Sequence, residues 1–176
     1  VHGWHQVIHF DSTALREPRN WVLGANANLP PSVRLHWVDE MPAQFHARFS
    51  AVSRTYRYLI WNRPVKPAVM HSGLSWCRYP LSAQPMAEAA QALLGEQDFS
   101  AFRGAGCQSN TPMRNVQSIE VFQQGDIIAI EIRANAFLLH MVRNIAGALM
   151  EVGRGKQKVS WVKRLLEGRD RTKAAA

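Results

Sequence analysis

The sequence predicts an α+β fold, and three features carry the prediction. Residues 51–61 alternate with a period of two, as a half-buried strand does. Two β-rich runs, 116–123 and 127–133, are joined across Gln-Gly-Asp, which reads as a hairpin. From 134 to 153 the apolar residues instead recur at spacings of three and four, Phe137, Met141 and Ile145 beside Leu138, Val142 and Leu149, the pattern of a largely buried helix. Strands and helices so mixed imply a mostly antiparallel sheet flanked by helices.

The elements follow in order. Residues 4–10 alternate well enough for a strand. His2, His5 and His9 suggest metal ligation, but a strand puts His5 and His9 on one face and His2 on the other, which argues against a site. A short helix is expected over 17–25, with Pro18 in its first turn and NANLPP closing it, followed by a strand over 33–38. In the 51–61 strand Tyr56, Tyr58 and Ile60 share one face, and Thr55, Arg57 and Leu59 the other. Those tyrosines are either ordinary packing or a ring platform for a nucleobase, with Arg48, Arg54 and Arg57 near enough to meet phosphates.

Residues 62–67 form a loop with two prolines, and 76–79 a short strand. Ser82 caps a helix through Leu94, with Gly95 at its C-terminal cap. The stretch 99–115 has no period and is too long for an idle connection, so it is expected to carry function, with Arg103 and Arg114 at its basic ends. Beyond the hairpin comes the 134–153 helix, in which Arg143 is the one formal charge between 136 and 150. An arginine keeps its proton, so Arg143 must reach a carboxylate, a phosphate or water. Snorkelling to solvent or a structural ion pair would satisfy it as well as a functional site would. His140 is given no role. Ser160 opens a last helix with Trp161, Leu165 and Leu166 on its apolar side.

Composition limits the function. With 176 residues, 47% hydrophobic and 19% charged, the chain is globular rather than disordered. A net charge of +8, carried mostly by arginine, favours a polyanionic partner, most simply nucleic acid. Cys77 and Cys107 lack a zinc-type or disulfide-type spacing and are expected to be reduced thiols. His140, Arg143 and Asn144 interrupt the most apolar stretch, so no membrane span is expected, and neither a secretory leader, a P-loop, a dinucleotide fingerprint nor a nucleophile elbow is found. The strand-like start and the stop just after a helix suggest a piece of a longer protein.

VHGWHQVIHF, NANLP, FHARFSAVSRTYRYLIWN, SNTPMRNV and ANAFLLHMVRNIAGALMEVG, in that order, resemble the bacterial tRNA pseudouridine synthase A family along essentially the whole chain. The resemblance implies a pseudouridine synthase fold and a cytoplasmic homodimer that isomerises uridines 38 to 40 of the tRNA anticodon arm without a cofactor. It divides the chain into the remainder of an N-terminal catalytic domain, residues 1–50, and an incomplete C-terminal pseudouridine synthase domain, residues 51–176. By its motifs, Arg143 pairs with the catalytic aspartate and Tyr56 stacks on the target base. From their positions alone, Arg48, Arg54, Arg57, Arg103 and Arg114 are expected to bind RNA, or in part to form a solvated face. The family's aspartate lies in GRTDAGVHG, of which this chain carries only VHG from Val1. Neither Asp11 nor Asp39 matches that motif. The expectation is therefore an enzyme family whose nucleophile precedes Val1, and a chain inactive by itself. A non-catalytic RNA-binding module is the alternative that the charge and the tyrosine face also permit. A helix-mediated dimerisation fragment fits the charge less well.

Overall fold

The structure is a computed structural model that describes residues 3–70 and 72–174. Two compact units divide the chain, Val1–Ala51 and Val52–Ala176.

The first unit holds one helix, α1 (Pro18–Asn28), with Pro18 in the opening turn, where its missing N–H costs nothing. It runs three residues past the expected end. Leu29, the residue before Pro30, is extended at φ −80° and ψ 145°, as a residue before proline prefers, and that stops the helix. The strands expected over 4–10 and 33–38 do not form among the described residues. Alternation supplies a face, but a strand also needs a partner to take its backbone hydrogen bonds. Around Leu35 a side chain substitutes for one: Asn26 Nδ2 donates to its carbonyl and Asn26 Oδ1 accepts from its amide, both at 2.8 Å. His9 meets His46 with ring centroids 4.3 Å apart and planes tilted by 54°. His2 lies outside the described residues, and among those described no group of three or more His, Cys, Asp or Glu side chains is placed to hold a metal.

The second unit is a five-stranded mixed sheet with helices on one face. Its strands are β1 (Arg54–Asn62), β2 (Ser75–Cys77), β3 (Gly95–Asp98), β4 (Met113–Gln124) and β5 (Ile127–Ala134). They lie in the order β2-β1-β5-β4-β3, antiparallel except for the β1–β2 pair. The period-two reading of β1 holds. Tyr58 faces Ile130 and Ile60 faces Ile128 across the β1–β5 ladder, on the side that packs into the core. Val116 and Ile119 of β4 are three residues apart, yet both are buried, because a bulge between Val116 and Ser118 shifts the alternation by one. Gly125 turns the β4–β5 hairpin with φ +58°, a backbone state that favours glycine.

Over the inner face pack α2 (Ala83–Ala90), α3 (Met141–Gly153) and α4 (Ser160–Gly168). Met86, Ile145, Leu149 and Val162 are fully buried between them and the sheet, each worth about 1.5–3 kcal/mol of transfer energy. The helix expected to run from Ser82 to Leu94 is α-helical only to Ala90 and ends in a 3-10 turn, Gln91–Leu93. Gly95, expected as its cap, takes φ +89° and opens β3, a short polar edge strand that had no apolar pattern to announce it. No helix of the described residues is long and apolar enough to cross a membrane.

The largest departure is at α3. Its expected start was residue 134, but the helix begins at Met141. Asn135 N donates to Asn115 O at 3.1 Å and Asn135 Oδ1 accepts from the Asn115 amide at 3.0 Å, so the chain just past β5 is still tied to β4 and has not turned into a helix. His140 sits at φ +57°, which cannot continue a right-handed helix. Leu138 is nevertheless only 4% exposed: the apolar spacing marked the core side of loop and helix alike.

Candidate active site

Of the side chains that sequence singled out, Arg143 stands at the start of α3, and Tyr56 meets Phe137 of the segment that leads into it. Tyr56 lies on the inner face of β1, opposite Ile132, but toward the end of the strand where the core thins, and it keeps 37% of its surface exposed. Its ring meets Phe137 edge to face, with centroids 4.9 Å apart and planes at 86°. Phe137 belongs to the irregular segment before α3, so the same bend that delays the helix sets the floor under Tyr56. Tyr58, by contrast, packs against the core, and its hydroxyl accepts from Ser75 Oγ at 2.7 Å.

Arg143 projects from the first turn of α3 into solvent. Among the described residues it has no hydrogen-bond or ion-pair partner. No acidic residue stands in that turn and no side chain caps it. The helix dipole and the guanidinium thus place positive charge at one point with nothing to answer it, an arrangement suited to a carboxylate or phosphate.

What fixes that point is the loop 103–114. Asn144, one residue beyond Arg143, donates from Nδ2 to the carbonyl of buried Phe102 at 2.9 Å. The Gly104 amide donates to Leu139 O at 2.8 Å, and a Cβ on Gly104 would itself lie 2.8 Å from that oxygen, so only glycine permits this approach. Cys107 Sγ accepts the Leu139 amide at 3.4 Å; that bond, with the Ser109 amide and Arg103, holds the thiol below its usual pKa despite partial burial. Both cysteines are free thiols.

The arginines of this loop brace it. Arg103 Nη2 donates to Cys107 O at 2.6 Å and Ser109 O at 2.8 Å. Arg114 is only 8% exposed, donates to Thr111 O, Met113 O and Ser109 Oγ, and has its pKa lowered by burial and then by Arg103. Arg57 lies on the opposite, outer sheet face, paired with Glu131 at 2.5 Å and set over the Phe122 ring. Arg54 begins β1, and Arg48 in the first unit packs its guanidinium over Phe49. Sequence reasoning missed Phe137, Gly104 and Asn144. Each acts through a tertiary contact that no local period encodes, although a glycine inside an irregular, basic loop is itself a sign of close approach.

A family model for tRNA pseudouridine synthase matches residues 89–176, from α2 through the hairpin and α3 to the last described turn. The chain is 55% identical over 174 residues to a tRNA pseudouridine synthase A of Xanthomonas campestris pv. campestris strain B100, covering 99% of this chain and 68% of that relative. It is 53% identical over its full 176 residues to the proteins of that name from Klebsiella pneumoniae strain 342 and Escherichia coli strain K12 / DH10B, and spans 65% of their length. The chain belongs to the tRNA pseudouridine synthase A family.

Proposed function

We propose that this chain forms part of the active site of an enzyme that converts uridine to pseudouridine at positions 38 to 40 of the tRNA anticodon arm. The observation that carries the reading is Arg143, a solvent-facing cation without an anion among the described residues, on the first turn of a packed helix next to the bend that supports Tyr56. Its anion is an aspartate in a GRTDAG segment preceding Val1 in the parent polypeptide. Without that carboxylate the 176 residues are inactive.

Substrate and product are isomers, so the chemistry requires no net oxidation and no group donor. The N1–C1′ bond breaks, the freed uracil turns over, C5 bonds to C1′, and the proton on C5 leaves while N1 gains one. A carboxylate serves as nucleophile or base, and Arg143 keeps it ionised and aimed. Tyr56, held edge-on by Phe137, stacks against the base once it has left the helix, which offsets part of an unstacking cost of a few kcal/mol. The enzyme acts in the cytoplasm as a homodimer. Arg48 and Arg54 are assigned to tRNA phosphates, with Arg57 on the outer sheet face as a weaker contact because Glu131 already engages it. Arg103 and Arg114 act on RNA through the loop they shape.

Tyr56 supplies the test. In the polypeptide extended upstream through GRTDAG, Tyr56→Phe retains the stack and is expected to keep binding and base positioning, whereas Tyr56→Leu removes it and lowers kcat/KM by roughly ten- to a hundred-fold, the worth of one base–aromatic stack. Single-turnover conversion of a tRNA transcript reads this out. Equal rates in Tyr, Phe and Leu forms would reduce Tyr56 to packing.

A further inference from the structure

On the outer face of the sheet, at the far end of β1 from Tyr56, the register sets Trp61 beside Trp76 of β2. Both indoles hold the loop that joins these strands: Trp61 Nε1 donates to Val65 O and Trp76 Nε1 to Arg63 O, each at 2.9 Å. Pro64 and Pro67 stiffen the same loop, and a hollow of about 520 Å³ lies between it and Trp61. The loop's Lys66 sits over the Trp76 ring at 5.1 Å. Just past β2, Arg78 lies over Tyr79 at 4.8 Å and donates to its hydroxyl at 2.6 Å. Arg154, braced by Glu151 at 3.0 Å, packs on Tyr79 at 4.2 Å.

These rings hold the cations in place without neutralising them. Arg63 has Asp126, and Arg154 and Lys156 share Glu151, but Lys66 and Arg78 have no carboxylate among the described residues. A cation–π contact fixes a long side chain and leaves its full charge, so the entropy of ordering is already spent before a phosphate arrives. With the rings covered by cations, the surface suits phosphates better than bases. Trp61 stands about 17 Å along β1 from Tyr56, at some 3.4 Å per residue, and on the opposite face of the sheet.

We propose that Lys66 and Arg78, seated on Trp76 and Tyr79, form a second RNA-contact surface that grips the phosphate backbone of tRNA outside the anticodon stem-loop. The proposal rests on the reading that tRNA is the substrate.

The test uses the extended polypeptide and its charge-reversed form, Lys66→Glu with Arg78→Glu. Both side chains are exposed, so folding is expected to persist, and a milder Lys66→Gln, Arg78→Gln form guards against misfolding. Expected for the reversed form is at least a ten-fold rise in Kd for whole tRNA, with unchanged affinity for an isolated anticodon stem-loop and unchanged conversion at saturating tRNA. The plot of log affinity against log salt should become shallower by about two in both forms, as two phosphate contacts are lost. Wild-type affinity and salt slope for whole tRNA in both variants would overturn the proposal. So would equal weakening toward tRNA and stem-loop, which would move the surface to the anticodon, or an altered oligomeric state with an unaltered salt slope, which would make it a protein contact. An unmutated protein that neither binds nor converts tRNA would instead refute the substrate reading itself.

Discussion

Arg143→Ala in the extended polypeptide is expected to lower turnover on saturating tRNA by roughly a hundred- to a thousand-fold, the cost of removing one preorganised electrostatic contact from an active site. Affinity for tRNA should change by no more than about two-fold if, as proposed, the guanidinium engages a carboxylate rather than the tRNA backbone. Position supports the split between rate and affinity. Arg143 is held by the Asn144–Phe102 hydrogen bond and by the Gly104–Leu139 approach, so its loss leaves α3 seated and the RNA surface intact. Arg143→Lys keeps the charge but not the planar fork that grips a carboxylate through two parallel bonds, so partial recovery of turnover is expected. Single-turnover rates and filter-binding titrations on the three proteins measure both quantities. A large loss of affinity with normal conversion of bound tRNA would make Arg143 a phosphate ligand.

Phe102→Ala is expected to destabilise the second unit by about 3–5 kcal/mol, the usual result of truncating a fully buried aromatic side chain. Phe102 has no exposed surface and lies 6.3 Å from the ring of Phe99, with which it anchors the loop 103–114 to the core. Its backbone carbonyl, not its ring, holds Asn144, and alanine preserves that carbonyl. In the extended polypeptide, molecules that remain folded should therefore convert tRNA at near the rate of the unmutated extended protein. Urea denaturation reads the stability, with a lower midpoint and an unchanged slope, and initial rates at low temperature read the activity. A fall in kcat with an unchanged midpoint would show that the ring itself shapes the site.

How far residues alone specify this structure depends on whether their demands are local. The β1 alternation and the β4–β5 hairpin were legible because a sheet face imposes a period of two and Gly125 supplies the turn. The helical core of α3 was equally plain from Met141, Ile145 and Leu149. The site was legible in part for the same reason. A lone charge in an apolar run is an anomaly visible without coordinates, and its exposed position on the first turn is the one such an anomaly requires. The start of α3 was hidden because Asn135 and His140 override a helical pattern through hydrogen bonds to Asn115 and a left-handed backbone. The first unit shows the complementary case. Its alternating segments had the right residues for strands but no described partner to pair with, and period alone does not supply one. Arg103 and Arg114, basic ends of a loop by sequence, turn inward onto its carbonyls, a choice that depends on how the loop folds back and not on residue type.

The most direct measurement is pseudouridine formation on an unmodified tRNA transcript, made in parallel with the 176-residue chain and with the polypeptide extended upstream through GRTDAG. Conversion by the extended protein alone is expected, because the proposed function assigns the carboxylate partner of Arg143 to the upstream segment. Equal conversion by both would contradict the assignment of the nucleophile to the upstream segment, and tRNA binding without conversion by either would make this chain an RNA-binding module instead of part of a synthase active site.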